Sequence, residues 1–130
     1  MKKLTTFAVV LVLSAFTAIA SSQFPDISHD ELKQAMNEKK VTLIDVNGSE
    51  SYAKGHIPGA IDFTANEDKL AANLPKDKDA LVVAYCGNER CKAYQRAAIK
   101  AKEMGYTNVK HYSKGIAGWK SAGEKTEPGA

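Results

Sequence analysis

The chain is poor in cysteine, has only a small surplus of positive charge, and lacks an apolar run long enough to stay in a membrane. Two cysteines among 130 residues cannot build a dense disulfide framework. His29, His56 and His111 show no metal-ligand spacing with those cysteines, so neither a metal nor another cofactor is expected. Lysine and arginine total 18 against 15 acidic residues. Subtracting Lys2 and Lys3 leaves 16 against 15, a net charge of +1 that gives no support to nucleic-acid binding. A membrane-spanning helix needs roughly 20 apolar residues, and the apolar stretch 7–20 is shorter and is broken by Ser14 and Thr17. There are no internal repeats and no low-complexity tracts.

What stands at the N-terminus has the layout of a secretory signal peptide. Lys2 and Lys3 supply the positive region, residues 7–20 the apolar region, and Ala18 and Ala20 of Ala18-Ile19-Ala20 the two small residues before a cleavage point. The expectation is a signal peptide over residues 1–20, cleaved near Ala20, and a periplasmic or secreted protein with no stable membrane association after processing. The remaining 110 residues, 21–130, suit one domain with a core spanning about 26–123.

Along that domain, strand and helix signals alternate. An extended lead-in at 25–28 precedes a helix signalled by the capping box Ser28…Glu31. Residues 41–44 are a short β-branched apolar run, broken by Asn47-Gly48. A helical turn at 49–54, a turn segment 55–59, a strand at 60–63 and a helix at 66–74 follow. Residues 80–85 are apolar on both faces, as a central parallel strand is. A helix at 93–104, a strand at 109–112 and a closing helix at 115–122 complete the pattern, and the tail 124–130 reads as loose. Such alternation implies an α/β fold with a parallel sheet covered on both faces. Chemistry in that architecture collects at the carboxyl ends of the strands, after Ile44 and after Tyr85.

Cys86 follows the central strand directly, and a helix is expected about five residues later. A thiol beneath a helix N-terminus meets unpaired N–H groups and a favourable dipole, which lower its pKa and populate the thiolate. An inert cysteine at a strand end fits the same position equally well.

Three motifs resemble those of rhodanese domains. Leu43-Ile44-Asp45-Val46, Tyr52 and Gly55-His56-Ile57-Pro58-Gly59-Ala60-Ile61 are similar to the family's N-terminal signature. Val83-Ala84-Tyr85-Cys86, a polar loop and an alanine-rich helix resemble its active-site segment, and Gly115-Ile116-Ala117-Gly118-Trp119 its C-terminal motif. The resemblance implies a five-stranded parallel sheet flanked by helices on both faces. It also implies that Cys86 takes sulfane sulfur as a persulfide from a small donor such as thiosulfate. A thiol or cyanide-like acceptor, or a protein thiol, then receives it. Gly87, Asn88, Glu89, Arg90, Cys91 and Lys92 would form the substrate-binding loop. From their own positions, Asp45 at a strand end either orients that loop or caps its turn, and His56 in a tight turn serves packing and hydrogen bonding ahead of a supporting role in the site. Phosphatase relatives of the fold carry an arginine where this chain has Lys92, and lysine cannot grip a phosphate bidentately.

The chain departs from the family pattern at several points. Asn47 stands where an arginine is common, Lys114 where a glycine is common, and Glu89 adds negative charge to the loop. Cys91, five positions after Cys86, is a candidate resolving thiol or disulfide partner, or else a small residue at a helix start. Two rivals to sulfur transfer therefore stand: a thiol-redox protein that cycles the Cys86/Cys91 pair, and a non-catalytic sulfur-carrier or binding module.

Overall fold

The computed structural model describes residues 24–129. The expected signal segment 1–20 and its cleavage point lie outside the described residues. Eleven segments follow in order: α1 (His29–Asn37), β1 (Val41–Asp45), α2 (Ser49–Lys54), β2 (Ile61–Asp62), α3 (Phe63–Asn66), a 3-10 turn (Glu67–Lys69), α4 (Leu70–Asn73), β3 (Leu81–Tyr85), α5 (Tyr94–Glu103), β4 (Val109–His111) and α6 (Gly115–Ser121). The capping box forms as the sequence indicates. The Glu31 N–H donates to Ser28 Oγ at 3.2 Å, and the Ser28 N–H donates to the Glu31 carboxylate at 3.0 Å.

The four strands pair in the order β2-β1-β3-β4, all parallel. The expected fifth strand is absent among the described residues. The lead-in segment takes its place as a single parallel bridge, Asp26 to His111. The His111 N–H donates to Pro25 O and the Ile27 N–H to His111 O. Pro25 has no N–H to carry the ladder further back, so pairing stops at one bridge.

Side-chain alternation along β3 divides the core. Val82, Ala84 and Cys86 face a cluster with Phe63, Leu70, Ala97, Ala98 and Ala101, under α3, α4 and α5. Val83 and Tyr85 face the opposite cluster with Leu32, Ile57, Tyr112 and Trp119, under α1 and α6. The all-apolar run read as a central strand is thus buried on both sides. The alanine face of α5 is fully buried because small residues let the helix lie close on the sheet.

Two further expectations are corrected. The helix expected over 66–74 is two short helices around a 3-10 turn. Asp62 caps the first of them, its carboxylate accepting from the Thr64 and Ala65 N–H groups. The tail is held rather than loose: His56 and Glu127 exchange two backbone hydrogen bonds of 2.9 Å, and the Gly129 N–H donates to Ala53 O. Arg96 pairs with the Glu67 carboxylate at 3.1 Å, and Lys100 Nζ donates to the Glu67 carbonyl, tying α5 to the 3-10 turn.

Candidate active site

The strand order reverses direction at the centre of the sheet. From β1 the chain moves outward to β2, and β3 returns on β1's other side. The loops after β1 and β3 therefore leave in opposite directions and open a crevice at the carboxyl ends of these strands. Asp45 ends β1 and is paired in register with Tyr85, which ends β3 and precedes Cys86. Folding thus sets Asp45 beside Tyr85, the residue before Cys86, so that the two sequence candidates stand at adjacent strand ends.

Asp45 is buried to 1 % exposure and holds both loops. One carboxylate oxygen accepts from the Asn47 N–H at 2.8 Å, closing the turn after β1. The other accepts from the Tyr85 hydroxyl at 2.7 Å. That hydroxyl in turn accepts from the Ile57 N–H at 3.0 Å. Burial first, and the Asp45 carboxylate second, push the Tyr85 phenol far above the ordinary tyrosine range, so it stays a neutral donor. Asp45 therefore both caps its turn and fixes the residue next to Cys86. In the sequence Asp45 stands out as a carboxylate at a strand end, whereas Tyr85 is one residue of an apolar strand with nothing local to mark its hydroxyl.

Cys86 is 2 % exposed and joined to Cys91 in a disulfide, with Cα atoms 6.2 Å apart, inside the usual range for such bonds. In this oxidised state neither sulfur is a thiolate. Asn88 builds the tight loop between them: its carbonyl accepts from the Cys91 N–H at 3.1 Å and its Oδ1 from the Arg90 N–H at 2.9 Å. Both of these N–H groups are engaged within the loop. The following helix begins at Tyr94, later than the expected five residues after Cys86. A different helix supports the loop from below. The Ile116 and Ala117 N–H groups of α6 donate to the Cys86 and Gly87 carbonyls, each at 2.9 Å.

Glu89, Arg90 and Lys92 are exposed. Asn88, Glu89 and Arg90 line a hollow of about 350 Å³ together with Lys114, Ala117, Gly118 and Ser121. Lys114, in the sequence a departure from a glycine, thus shares this hollow with Arg90. The Asn47 side chain lies against Gly87, where its Oδ1 would sit 3.5 Å from an added Cβ. It occupies the neighbourhood of the loop but brings none of an arginine's charge. His56 is placed for packing. It stacks on Tyr52 with ring centroids 3.7 Å apart, and its Nδ1 lies 2.9 Å from the Tyr52 carbonyl. Among the described residues no cluster of histidine, cysteine and carboxylate side chains could hold a metal ion.

The structure thus places Cys86 at a switch-point crevice, with the Asp45 carboxylate buried at the neighbouring strand end and α6 beneath its loop. Residues 28–122 match the family described as Rhodanese-like domain. The chain belongs to the rhodanese-like family. It is 31 % identical over 104 residues to the thiosulfate sulfurtransferase GlpE of Shewanella oneidensis, covering 78 % of this chain and 97 % of that one. It is 38 % identical over 106 residues to an HTH-type transcriptional regulator of Mycobacterium tuberculosis. That match covers 80 % of this chain but only 45 % of the regulator, so this rhodanese-like domain spans about half of that relative's length. In solved structures it is similar to the human single-domain sulfurtransferase TSTD1, at 25 % identity and a TM-score of 0.59, covering 75 % of this chain and 96 % of that one. The 3-mercaptopyruvate sulfurtransferase SseA of Escherichia coli shares the fold at 21 % identity and a TM-score of 0.66, over 82 % of this chain and 51 % of that one.

Proposed function

We propose that this rhodanese-like protein is an exported sulfurtransferase that moves sulfane sulfur through a persulfide on Cys86. The observation that carries the reading is the position of Cys86 at the end of β3, with Asp45 and Tyr85 fixing the strand end and α6 holding the loop carbonyls. In the reduced protein the Cys86 thiolate attacks the outer sulfur of thiosulfate. A sulfur–sulfur bond forms, the bond to the sulfonate breaks, and sulfite departs with the electron pair. A nucleophilic acceptor then attacks the outer sulfur of the persulfide and leaves with it, returning the thiolate.

Arg90 and Lys114 line the hollow at the loop's mouth and offset Glu89, which suits an anionic donor. Among the relatives, the name of the human thiosulfate:glutathione sulfurtransferase, 28 % identical over 92 % of its own length, joins a thiosulfate donor to a small thiol acceptor. That supports the same pairing here. The charged, apolar and small-residue layout of residues 1–20 supports export, with Ser21 as the first residue of the working protein.

The test is thiocyanate formation from thiosulfate and cyanide by fully reduced protein. The parent turns over, and Cys86→Ser does not, because serine supplies no anion at neutral pH and cannot hold a sulfane sulfur. Parental activity in Cys86→Ser would remove Cys86 from the mechanism. The disulfide itself favours a second reading, a dithiol–disulfide redox protein. That reading predicts no thiocyanate from the reduced parent.

A further inference from the structure

The Cys86–Cys91 disulfide closes the one sulfur that the proposed chemistry needs, and the loop is built to close it. Asn88 turns the chain so that Cys91 comes back to Cys86. Cys91 also packs against the same apolar cluster as Cys86. The two partners differ in access: Cys86 is 2 % exposed, whereas Cys91 is only partly buried.

From this geometry, and resting on the persulfide reading above, we propose that Cys91 resolves the Cys86 persulfide. The chain then releases hydrosulfide when no external acceptor arrives, and a thiol reductant re-opens it through Cys91. The Cys91 sulfur attacks the inner sulfur of the persulfide, Cys86 Sγ. The Sγ–Sγ bond forms, and the bond from Cys86 Sγ to the outer sulfur breaks. The outer sulfur leaves with that electron pair and the Cys91 thiol proton as hydrosulfide. The sulfane sulfur is reduced, and the two cysteines supply its electrons by becoming a disulfide. The step thus needs no outside oxidant. It is ordinary thiol exchange with the persulfide as the bond attacked.

Reset follows the difference in access. Which sulfur of a disulfide is attacked depends on which one the incoming thiolate can reach. A thiol reductant, whether a dithiol or two monothiols in succession, reaches Cys91 Sγ. The bond to Cys86 breaks, and Cys86 leaves as the thiolate that the next turnover uses. The mixed disulfide stands on Cys91, where a second thiol displaces it. The buried sulfur is thus never the one that the reductant must reach. The chain would act as a persulfide reductase coupled to a thiol pool, in addition to transferring sulfur.

The experiment is a single turnover of the reduced full-length protein with one equivalent of thiosulfate and no acceptor. Hydrosulfide is measured in solution, and the chain is weighed intact. The expected result is one hydrosulfide per chain and a protein lighter than the reduced form by two hydrogens. Cys91→Ser instead gains one sulfur atom and releases no hydrosulfide. If that variant does not fold, the parent's hydrosulfide yield and mass change decide alone. A parent that keeps the extra sulfur and releases nothing overturns the resolving step while leaving the proposed function intact. Uptake of sulfur by neither protein overturns both. In the second arm, oxidised parent is treated briefly with limiting glutathione, and the glutathionylated peptide is mapped. Glutathione on Cys91 is expected. Glutathione on Cys86 overturns the direction of reset.

Discussion

A Cβ built on Gly115 would lie 2.5 Å from the Cys86 carbonyl oxygen, 2.8 Å from the Gly87 carbonyl carbon and 2.9 Å from the Asn88 nitrogen. All three neighbours are backbone of the active loop, so none can swing aside. The residue also has a φ of 60°, in the region glycine adopts freely and other residues adopt at a cost. Gly115→Ala should therefore shift the Cys86–Asn88 backbone as well as lower stability, by about 1–3 kcal/mol for combined strain and clash. Urea unfolding measures the stability loss. Slower loading of Cys86 with sulfur in the reduced protein measures the loop shift. Unchanged loading would show that the loop's position does not depend on this contact. The sequence offered Gly115 as the first residue of a motif, but its reason is a contact across 28 positions that no local pattern encodes. Tyr85 illustrates the same limit. Its strand placement was legible from the apolar run, whereas its bond to Asp45 depends on a register that only the paired sheet defines.

At the level of strands and helices, the elements with strong local signals were readable: β3 from its apolar run, α1 from its capping box and α5 from its alanines. The parts that failed depend on neighbours. The fifth strand reduces to one bridge because Pro25 lacks a donor, and the helix over 66–74 breaks where Arg96 and Lys100 of α5 take hold of Glu67. The β4 edge carries a consequence for pH. His111 ends β4, 9 % exposed, with its ring stacked on Tyr94 of α5 at a centroid distance of 3.5 Å. Burial holds its pKa below the ordinary histidine range, and Asp26 on the adjoining segment opposes that only in part. The unfolded chain therefore takes up a proton at a higher pH than the folded one. Stability from this residue is fully present above the ordinary histidine pKa, about 6.5, and is lost as pH falls below it. Replacing His111 with Phe keeps a ring against Tyr94 and removes the titration. Urea midpoints at about pH 7.5 and about pH 5.5 should fall less between the two values in His111→Phe than in the parent. Subtracting variant from parent leaves only what depends on residue 111. An equal fall in both would mean that His111 does not sense pH.

Across the whole molecule, the chain's last residues complete a set of bonds that runs toward the crevice. The Trp119 indole N–H donates to Lys125 O, Glu127 pairs with His56 through both backbone groups, and the Gly129 N–H donates to Ala53 O. His56 stacks on Tyr52, whose hydroxyl donates to Ala60 O. Between them the Ile57 N–H donates to the Tyr85 hydroxyl, which holds Asp45. The polar composition of 124–130 reads as a loose end because its partners are backbone groups of the 53–56 turn, distant in sequence and without a local signature. Ending the chain after Glu124 would remove five hydrogen bonds, that of the Gly59 N–H to the Glu127 carboxylate included, and keep the Glu124 contacts to His29 and Lys33. Each bond contributes about 0.5–1.5 kcal/mol net, and the ordering of the tail offsets part of the sum. The truncated protein should be less stable by about 1–3 kcal/mol, read from urea unfolding. The chain of bonds ends on Tyr85, which faces the α1 and α6 cluster, whereas the Cys86 side chain faces α5. Sulfur loading of the reduced, folded truncation should consequently match the full chain. An unchanged unfolding midpoint would mean that the tail contributes nothing to the fold. A stable truncation that no longer loads Cys86 would mean that the 53–57 turn reaches the thiol by a route other than Tyr85.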